Sequence, residues 1–164
     1  MDKKTIKNVI FPMLLGVLLY YILSLIFHPY IISGSSMEPT FHDNQLVLCD
    51  KIKENDEISY GDIVVLKDNT WWRYLIKRVV ALPGDEVDIK DGFLYVNGEL
   101  SDYQFDYIKE IGSLSYPLEL ASGEYFCMGD NRNDSRDCRD IGPVTKNNIR
   151  YKVTKSLFYL GGNK

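Results

Sequence analysis

The feature that most constrains this chain is an uncharged stretch at residues 9–27. As an α-helix, its nineteen residues, VIFPMLLGVLLYYILSLIF, would span roughly 28 Å, close to the thickness of a bilayer's hydrocarbon core. Because the stretch is apolar on every side, it differs from an amphipathic helix that packs on a globular core. It predicts a transmembrane anchor, which separates a short N-terminal segment, residues 1–8, from a domain at residues 28–164.

The charges around the anchor predict its orientation. Three lysines precede it, and no charged residue follows until Glu38. Since positive charges flanking a spanning helix stay on the cytoplasmic side, we expect residues 1–8 in the cytoplasm and residues 28–164 outside the cell membrane. A cleaved secretory signal remains an alternative, because Ser33, Gly34 and Ser35 form a small-x-small sequence. The apolar core of such a signal is about 7–15 residues long, and this one is longer.

Composition narrows the class of the remaining domain. The chain has 164 residues, 45% of them hydrophobic, which excludes a disordered chain and allows one domain beside the anchor. The net charge of −4 argues against a nucleic-acid partner, which binds through an excess of Lys and Arg. Two histidines and three cysteines leave little for a structural metal site or a disulfide framework. We therefore expect no metal and no cofactor.

Short apolar runs separated by turn residues predict an all-β domain. Asp-Gly at 91–92 and Asn-Gly at 97–98 are typical of tight hairpin turns. Residues 101–123 show no clear period, and no helical pattern occurs outside the anchor. The predicted strands are residues 45–49, 61–66, 71–82, 87–90, 93–96, 125–128 and 150–160.

A serine-rich segment, S-G-S-S-M-E-P-T at residues 33–40, follows the anchor. Its composition also suits a plain linker. A serine hydroxyl needs a general base before it can attack a carbonyl. His28 lies at the predicted membrane edge, and His42 follows Ser36 closely among polar neighbours. A Ser-His-Asp triad is therefore poorly supported.

A lysine is the other base on offer. Lys77 and Arg78 are consecutive in the predicted strand 71–82, so their side chains point to opposite faces and one of them lies among apolar neighbours. Burial disfavours the ammonium form and lowers a lysine's pKa by up to several units. An edge strand from which both cations reach water is the alternative.

Alternating acidic and basic residues occupy residues 129–140. That pattern suits a solvated loop that neutralises its own charge. A calcium loop is disfavoured, because arginines stand where oxygen ligands are needed. An Asp-x-Arg pair also forms a charge-assisted brace that holds neighbouring groups in place.

Four motifs in order carry a family resemblance. They are S-M-E-P-T at 36–40, G-D-I-V at 61–64, Y-L-I-K-R-V at 74–79 running on to P-G-D at 83–85, and G-D-N-R with S-x-D-x-R at 129–139. Together with the anchor, they resemble type I signal peptidases, the membrane-bound serine proteases that remove signal peptides from exported proteins. The short length and single anchor look like the Gram-positive form.

The resemblance implies roles for the reacting groups. Ser36 would attack the scissile carbonyl, and Lys77 would act as its general base. Ser135 would hydrogen-bond and orient the lysine amine. The backbone N–H of Ser36 would supply part of the oxyanion hole.

The resemblance also implies supporting roles around the dyad. Asp137 and Arg139 would form a brace beneath the site. Ile32 and Ile76 fall where the family lines its shallow pockets for small side chains, and Met37 is a further expected substrate contact.

Some positions depart from the family pattern. Cys138 stands where members of the family usually have serine, and Gly34 stands where some members have serine. Leu75 is an extra residue in the base motif. With Cys49 and Cys127, the chain has three cysteines; a bond between Cys127 and Cys138 stays open, although small buried residues fit better.

The resemblance implies an all-β catalytic domain of the signal-peptidase and self-cleaving-repressor type, preceded by one transmembrane helix. The expected function is a Ser/Lys endopeptidase that cuts exported preproteins after small-x-small sites at the cytoplasmic membrane. One rival is a relative dedicated to pilin or a few surface proteins, acting as a binding or assembly factor. A second rival, the self-cleaving repressors, are cytosolic and carry a DNA-binding domain where this chain has its anchor.

Overall fold

The computed structural model describes residues 2, 4, 6–26, 28–68 and 73–159. A helical turn, Ile6–Ile10, leads into helix α1, Phe11–Ile26. The large apolar side chains of its first three turns are exposed. Within the described residues, no helix is long and apolar enough to cross a membrane. Phe27, the last residue of the predicted anchor, lies outside the described residues.

Seven antiparallel strands form the larger sheet. It positions the catalytic candidates, because one of its strands carries Lys77 and the neighbouring strand leads into the loop of acidic and basic residues. Its spatial order is β1-β2-β11-β3-β4-β9-β10. In chain order, its strands are β1 (His28–Ile31), β2 (Gln45–Lys51), β3 (Ile63–Asp68), β4 (Arg73–Ala81), β9 (Glu124–Met128), β10 (Val144–Thr145) and β11 (Ile149–Tyr159).

The smaller sheet is inserted between β4 and β9. It consists of β5 (Glu86–Lys90), β6 (Phe93–Val96), β7 (Glu99–Leu100) and β8 (Leu118–Glu119), in the order β7-β6-β5-β8. Both of its hairpin turns have two residues at positive φ, Asp91-Gly92 at 51° and 78° and Asn97-Gly98 at 55° and 78°. This is the geometry that Asp-Gly and Asn-Gly pairs favour, so both predicted turns are confirmed.

Two hydrophobic clusters stabilise the domain. The larger one joins the two sheets through residues such as Leu66, Val80, Leu94 and Phe126. The smaller one lies under the serine-rich segment and comprises Ile32, Met37, Phe41, Val47, Cys49 and Val65. The predicted nucleophile therefore follows a strand of the sheet and is anchored by its own neighbours in a dry cluster.

The antiparallel β domain is confirmed, with local differences. Strands β1, β7, β8 and β10 are additions to the predicted set. Trp71 and Trp72, at the predicted start of β4, lie outside the described residues. The expectation of no helix after the anchor is wrong: α2, Cys138–Ile141, and a 3-10 turn, Lys146–Asn148, follow β9. Both are too short to produce a helical period. Residues 101–123 contain β8 and otherwise irregular backbone.

Candidate active site

Ser36 lies on a tight turn between β1 and β2. The N–H of Glu38 donates to the carbonyl of Ser35 at 3.0 Å, and the N–H of Phe41 donates to the carbonyl of Met37 at 2.9 Å. Met37 is completely buried and Phe41 is nearly so. Because these two apolar residues anchor the turn from below, the half-buried Ser36 is held at the surface of the sheet.

Lys77 meets this serine from the middle of β4. Its side chain is only 2% exposed, and its Nζ lies 2.8 Å from Ser36 Oγ and 2.7 Å from the carbonyl oxygen of Ile76. In the part of the chain that the structure describes, no carboxylate forms an ion pair with it. Ser36 and Lys77 form a hydrogen-bonded pair, called the dyad below.

Burial changes the chemistry of the lysine. It lowers the pKa of Lys77 from 10.5 to about 8, against the opposing charge of Asp137, which raises it. At a pKa near 8, roughly a tenth of the amines are neutral at pH 7, far more than for a solvated lysine. A neutral amine 2.8 Å from a hydroxyl is in place to accept its proton.

Arg78, the next residue, points to the opposite face of β4. Its Nε and Nη2 donate to Asp130 at 2.9 and 2.7 Å, a bidentate ion pair with a fully buried carboxylate. Its Nη1 donates to the carbonyl of Gly61 at 3.0 Å. Asp130 also accepts the hydroxyl of Thr40. The pair therefore ties the strand that carries Lys77 to the turn that carries Ser36.

Asp137 and Arg139 form a second buried ion pair, called the brace below. The Nε and Nη2 of Arg139 donate to the two carboxylate oxygens of Asp137, each at 2.9 Å, and both side chains are almost fully buried. Asp137 caps the N-terminus of α2 and accepts the N–H of Gly129 at 3.0 Å. Burial alone would lower the pKa of Arg139, but its hydrogen bonds with Asp137 and that charge raise it.

A partly enclosed cavity of about 160 Å³ opens beside the dyad. Its walls come from β1 and the segment after it, from Val65 of β3, and from the half of β4 that precedes Lys77. Ser36 and Lys77 line one part of it. The remaining lining residues are Tyr30, Ile31, Ile32, Ser33, Tyr74, Leu75 and Ile76.

Comparison with known proteins shows the family of the chain. The family described as signal peptidase, peptidase S26, matches residues 4–158. The chain belongs to this family. It is therefore a serine endopeptidase of the type I signal peptidase kind.

Individual relatives of this signal peptidase are similar over most of their length. Signal peptidase I U of Bacillus subtilis (strain 168) is 35% identical over 150 residues, covering 84% of this chain and 80% of the relative. Signal peptidase I of Bacillus amyloliquefaciens is 34% identical over 164 residues, covering 93% and 83%. A crystal structure of signal peptidase I from Enterococcus faecalis V583 aligns with 60% of this chain and 98% of its own, at 26% identity and a TM-score of 0.49.

Not every expected contact of the signal peptidase site is formed. Ser135 Oγ is buried and has no hydrogen-bond partner, so the expected bond from Ser135 to Lys77 is absent from this structure. Gly129 explains how closely the loop packs here, since a Cβ on Gly129 would lie 2.1 Å from Ser135 Oγ and 2.5 Å from the carbonyl oxygen of Ser36. Only a glycine fits between these two serines.

The substrate contacts divide into two groups. Ile32 and Ile76 line the cavity, and their contact with substrate side chains stays a prediction. Met37 does not: its side chain is 0% exposed and packs in the cluster under the turn. The expectation that Met37 contacts substrate is corrected to an anchoring role, because a side chain without accessible surface cannot contact a ligand.

All three cysteines of the signal peptidase are free and buried. Cys138 Sγ accepts the backbone N–H of Cys127 at 3.2 Å. The pKa of the Cys127 thiol is raised, mainly by hydrogen bonding with Cys138 and secondly by burial. Cys138 is thus a buried hydrogen-bond acceptor, and Cys49 packs under the serine turn.

Sequence reasoning missed the residues that hold the dyad's two halves together. Arg78, Asp130 and Thr40 form this link, and Asn131 adds a backbone N–H to the carbonyl of Ser36 at 3.1 Å. The alternation of Lys77 and Arg78 was a usable indication: if the lysine faces the site, the arginine is buried on the other face and needs a carboxylate.

Proposed function

We propose that this chain is a membrane-anchored Ser/Lys endopeptidase that removes signal peptides from exported preproteins after small-x-small sites. The observation that carries the proposal is the 2.8 Å contact between Ser36 Oγ and the amine of Lys77, a buried lysine whose pKa is lowered to about 8. A serine beside a lysine that is partly neutral near physiological pH is an activated nucleophile.

The reaction follows from the dyad. Neutral Lys77 takes the proton of the Ser36 hydroxyl as Oγ attacks the carbonyl carbon of the scissile bond. The oxyanion of the tetrahedral intermediate accepts the backbone N–H of Ser36. Lys77 then gives the proton to the leaving amine, which carries away the mature chain. A water molecule, deprotonated by Lys77, hydrolyses the acyl-enzyme and restores Ser36.

Ser135, Asp137 and Arg139 support the dyad in this proposal. Ser135 directs the lone pair of the Lys77 amine during turnover. The brace holds the start of α2 and, through the N–H of Gly129, the loop against which Ser135 packs. Their contribution is alignment, since neither member of the brace is exposed to a substrate.

The shape of the cavity supports a preference for small side chains. Its volume is about 160 Å³, which is small for a ligand site. Ile32 and Ile76 stand on its two walls and narrow the space available to substrate side chains. In this proposal they contact the first and third residues before the cut.

The anchor brings the active site to the membrane surface. Helix α1 ends at Ile26, and β1, which lines the cavity through Tyr30 and Ile31, begins at His28. Ser36 thus follows the end of the apolar helix by ten residues. If residues 9–27 span the membrane with the N-terminus in the cytoplasm, the cleavage site of a membrane-held signal peptide meets the enzyme at high local concentration.

Cleavage by purified protein tests the proposal. The full chain in detergent should cut a preprotein with alanine at the first and third positions before the site, and fail when both are phenylalanine. Ser36→Ala should remove cleavage without lowering Tm. The matched control is Ser35→Ala, whose hydroxyl bonds to Asp134 instead of Lys77 and whose loss should change the rate by no more than a few-fold.

Two outcomes would overturn the proposal. Cleavage that persists in Ser36→Ala would remove the nucleophile. A wild-type protein that binds a pilin or surface protein without cutting any preprotein would favour the assembly-factor alternative. Proteolysis of intact protoplasts tests the topology, because it should degrade residues 28–164 and spare residues 1–8.

A further inference from the structure

The irregular segment after β7 lies over two arginines near the active site, Arg78 of β4 and Arg132 of the loop after β9. The Phe105 ring centroid is 5.4 Å from Cζ of Arg78 and 5.3 Å from Cζ of Arg132. The Tyr103 ring is 5.5 Å from Cζ of Arg78, and its carbonyl accepts Nη2 of Arg132. One aromatic ring is thus shared by two guanidinium groups that come from different parts of the chain.

Each arginine forms hydrogen bonds in a different part of the active site. Arg78 adjoins Lys77 and connects β4 to the serine turn through Asp130 and Thr40. Arg132 donates its Nε to the carbonyl of Gly129 at 3.1 Å, the residue that packs against Ser36 and Ser135. A group that fixes both guanidinium groups therefore fixes the geometry between base and nucleophile.

Electrostatics explains why a ring is suited to this position. Arg132 is 1% exposed, and within the described residues no carboxylate forms an ion pair with it. Its Nη1 is buried without a hydrogen-bond partner. The negative face of an aromatic ring attracts a guanidinium and offsets part of this lost solvation. The same ring also attracts the guanidinium of Arg78, whose positive charge is already balanced by the carboxylate of Asp130.

We propose that Phe105 is a positioning residue of the peptidase reaction, acting by cation–π contact with both Arg78 and Arg132. The inference rests on the proposed function, since it assigns Phe105 to the same dyad. Phe105 does not line the cavity beside Ser36, so it acts through the two arginines and makes no contact with substrate.

A graded change in ring electrostatics tests this role. Replacing Phe105 with 3,4,5-trifluorophenylalanine keeps the ring's shape and weakens its negative face. We expect kcat for preprotein cleavage to fall with KM nearly unchanged. Phe105→Leu should reduce kcat by roughly 5- to 30-fold, Phe105→Tyr by no more than about 2-fold, and the fluorinated ring by an intermediate factor.

Phe93 provides the matched control. It is an aromatic residue that packs on the edge of Tyr107, with ring centroids 6.1 Å apart. Among the described residues, no arginine or lysine lies over its ring. The same fluorinated residue at position 93 should leave kcat unchanged. A fluorinated Phe105 enzyme as fast as wild type, or a KM rise at constant kcat, overturns the proposal, and this holds even if Phe105→Leu fails to fold. Failure of the proposed function itself would show separately, as a wild-type protein without cleavage.

Discussion

Lys77 and Arg139 are both buried cations of one active site, and their surroundings are opposite. Arg139 is held by a bidentate carboxylate, and its pKa is raised. Lys77 contacts a hydroxyl and a carbonyl oxygen, and burial lowers its pKa to about 8. Burial alone therefore does not set the ionisation of a cation. A buried cation that is paired with a carboxylate stays ionised, whereas an unpaired one is destabilised as an ion, which suits Lys77 to the proposed role of base.

Lys77→Met should have the largest effect, with opposite signs on activity and stability. Cleavage should fall at least roughly 10³-fold, because the general base is lost. Unfolding free energy at pH 7 should rise by roughly 3 kcal/mol, because the native state no longer holds a desolvated ammonium whose pKa is lowered from 10.5 to about 8. Activity assays and denaturant unfolding of the full chain in detergent measure the two.

The stability gain should depend on pH in a known direction. The folded-state pKa of Lys77, about 8, lies below the 10.5 of the unfolded chain, so the unfolded state binds more protons between these values. Wild type should therefore gain stability as pH rises through this window, and the advantage of Lys77→Met should shrink. A variant less stable than wild type at pH 7 would break the comparison.

Asp137→Ala should destabilise the fold by about 3–5 kcal/mol, because Arg139 is left buried without its counter-charge. The N–H of Gly129 also loses its acceptor. Denaturant unfolding measures the change. Asp106→Ala, an exposed carboxylate, is the control and should stay within about 0.5 kcal/mol of wild type. A loss below about 1 kcal/mol for Asp137→Ala would mean that the brace is not what holds this loop.

The pH–rate profile tests whether Lys77 acts as a base in its neutral form. The base acts when neutral, so kcat/KM should rise with pH through about 8. At pH 6 it should lie roughly 100-fold below its plateau. Since the charge of Asp137 raises the pKa of Lys77, Asp137→Asn should move the midpoint to lower pH, while Asp106→Asn should not. A rate independent of pH from about 6 to 10 would contradict Lys77 as the base.

Ser135→Ala should have the smallest effect. We expect cleavage to slow roughly 10-fold, the value of one orienting hydrogen bond during turnover. Tm should not fall, because the Ser135 hydroxyl has no partner in this structure. Thermal melts beside cleavage assays separate the two. An unchanged rate would remove Ser135 from the mechanism, and a lower Tm would assign it to the brace.

The antiparallel domain was predictable where local chemistry decides the backbone. Asp-Gly and Asn-Gly pairs adopt positive φ at low cost, so both hairpin turns of the smaller sheet followed from dipeptides. Helix α2 was not predictable, because four residues carry no period; its start depends on a capping box formed by Asp137 and Asp140. Strand β1 exists because it pairs with β2, a contact that its four residues do not encode.

The candidate site was likewise predictable only in part. The sequence by itself determined which reactive groups are present: Ser36 after an apolar stretch, Lys77 and Arg78 on opposite faces of a strand, and an acidic and basic loop. These follow from residue type and from the alternation of a strand.

The surroundings of each group follow from the tertiary structure. It buried Lys77 without a carboxylate, paired Arg78 with Asp130 at a separation of 52 positions, and placed Met37 in the core instead of the cavity. Solvation and charge pairing depend on which strands become neighbours, and here β4 lies between β3 and β9. A lysine's pKa is a property of that neighbourhood, which no local pattern specifies.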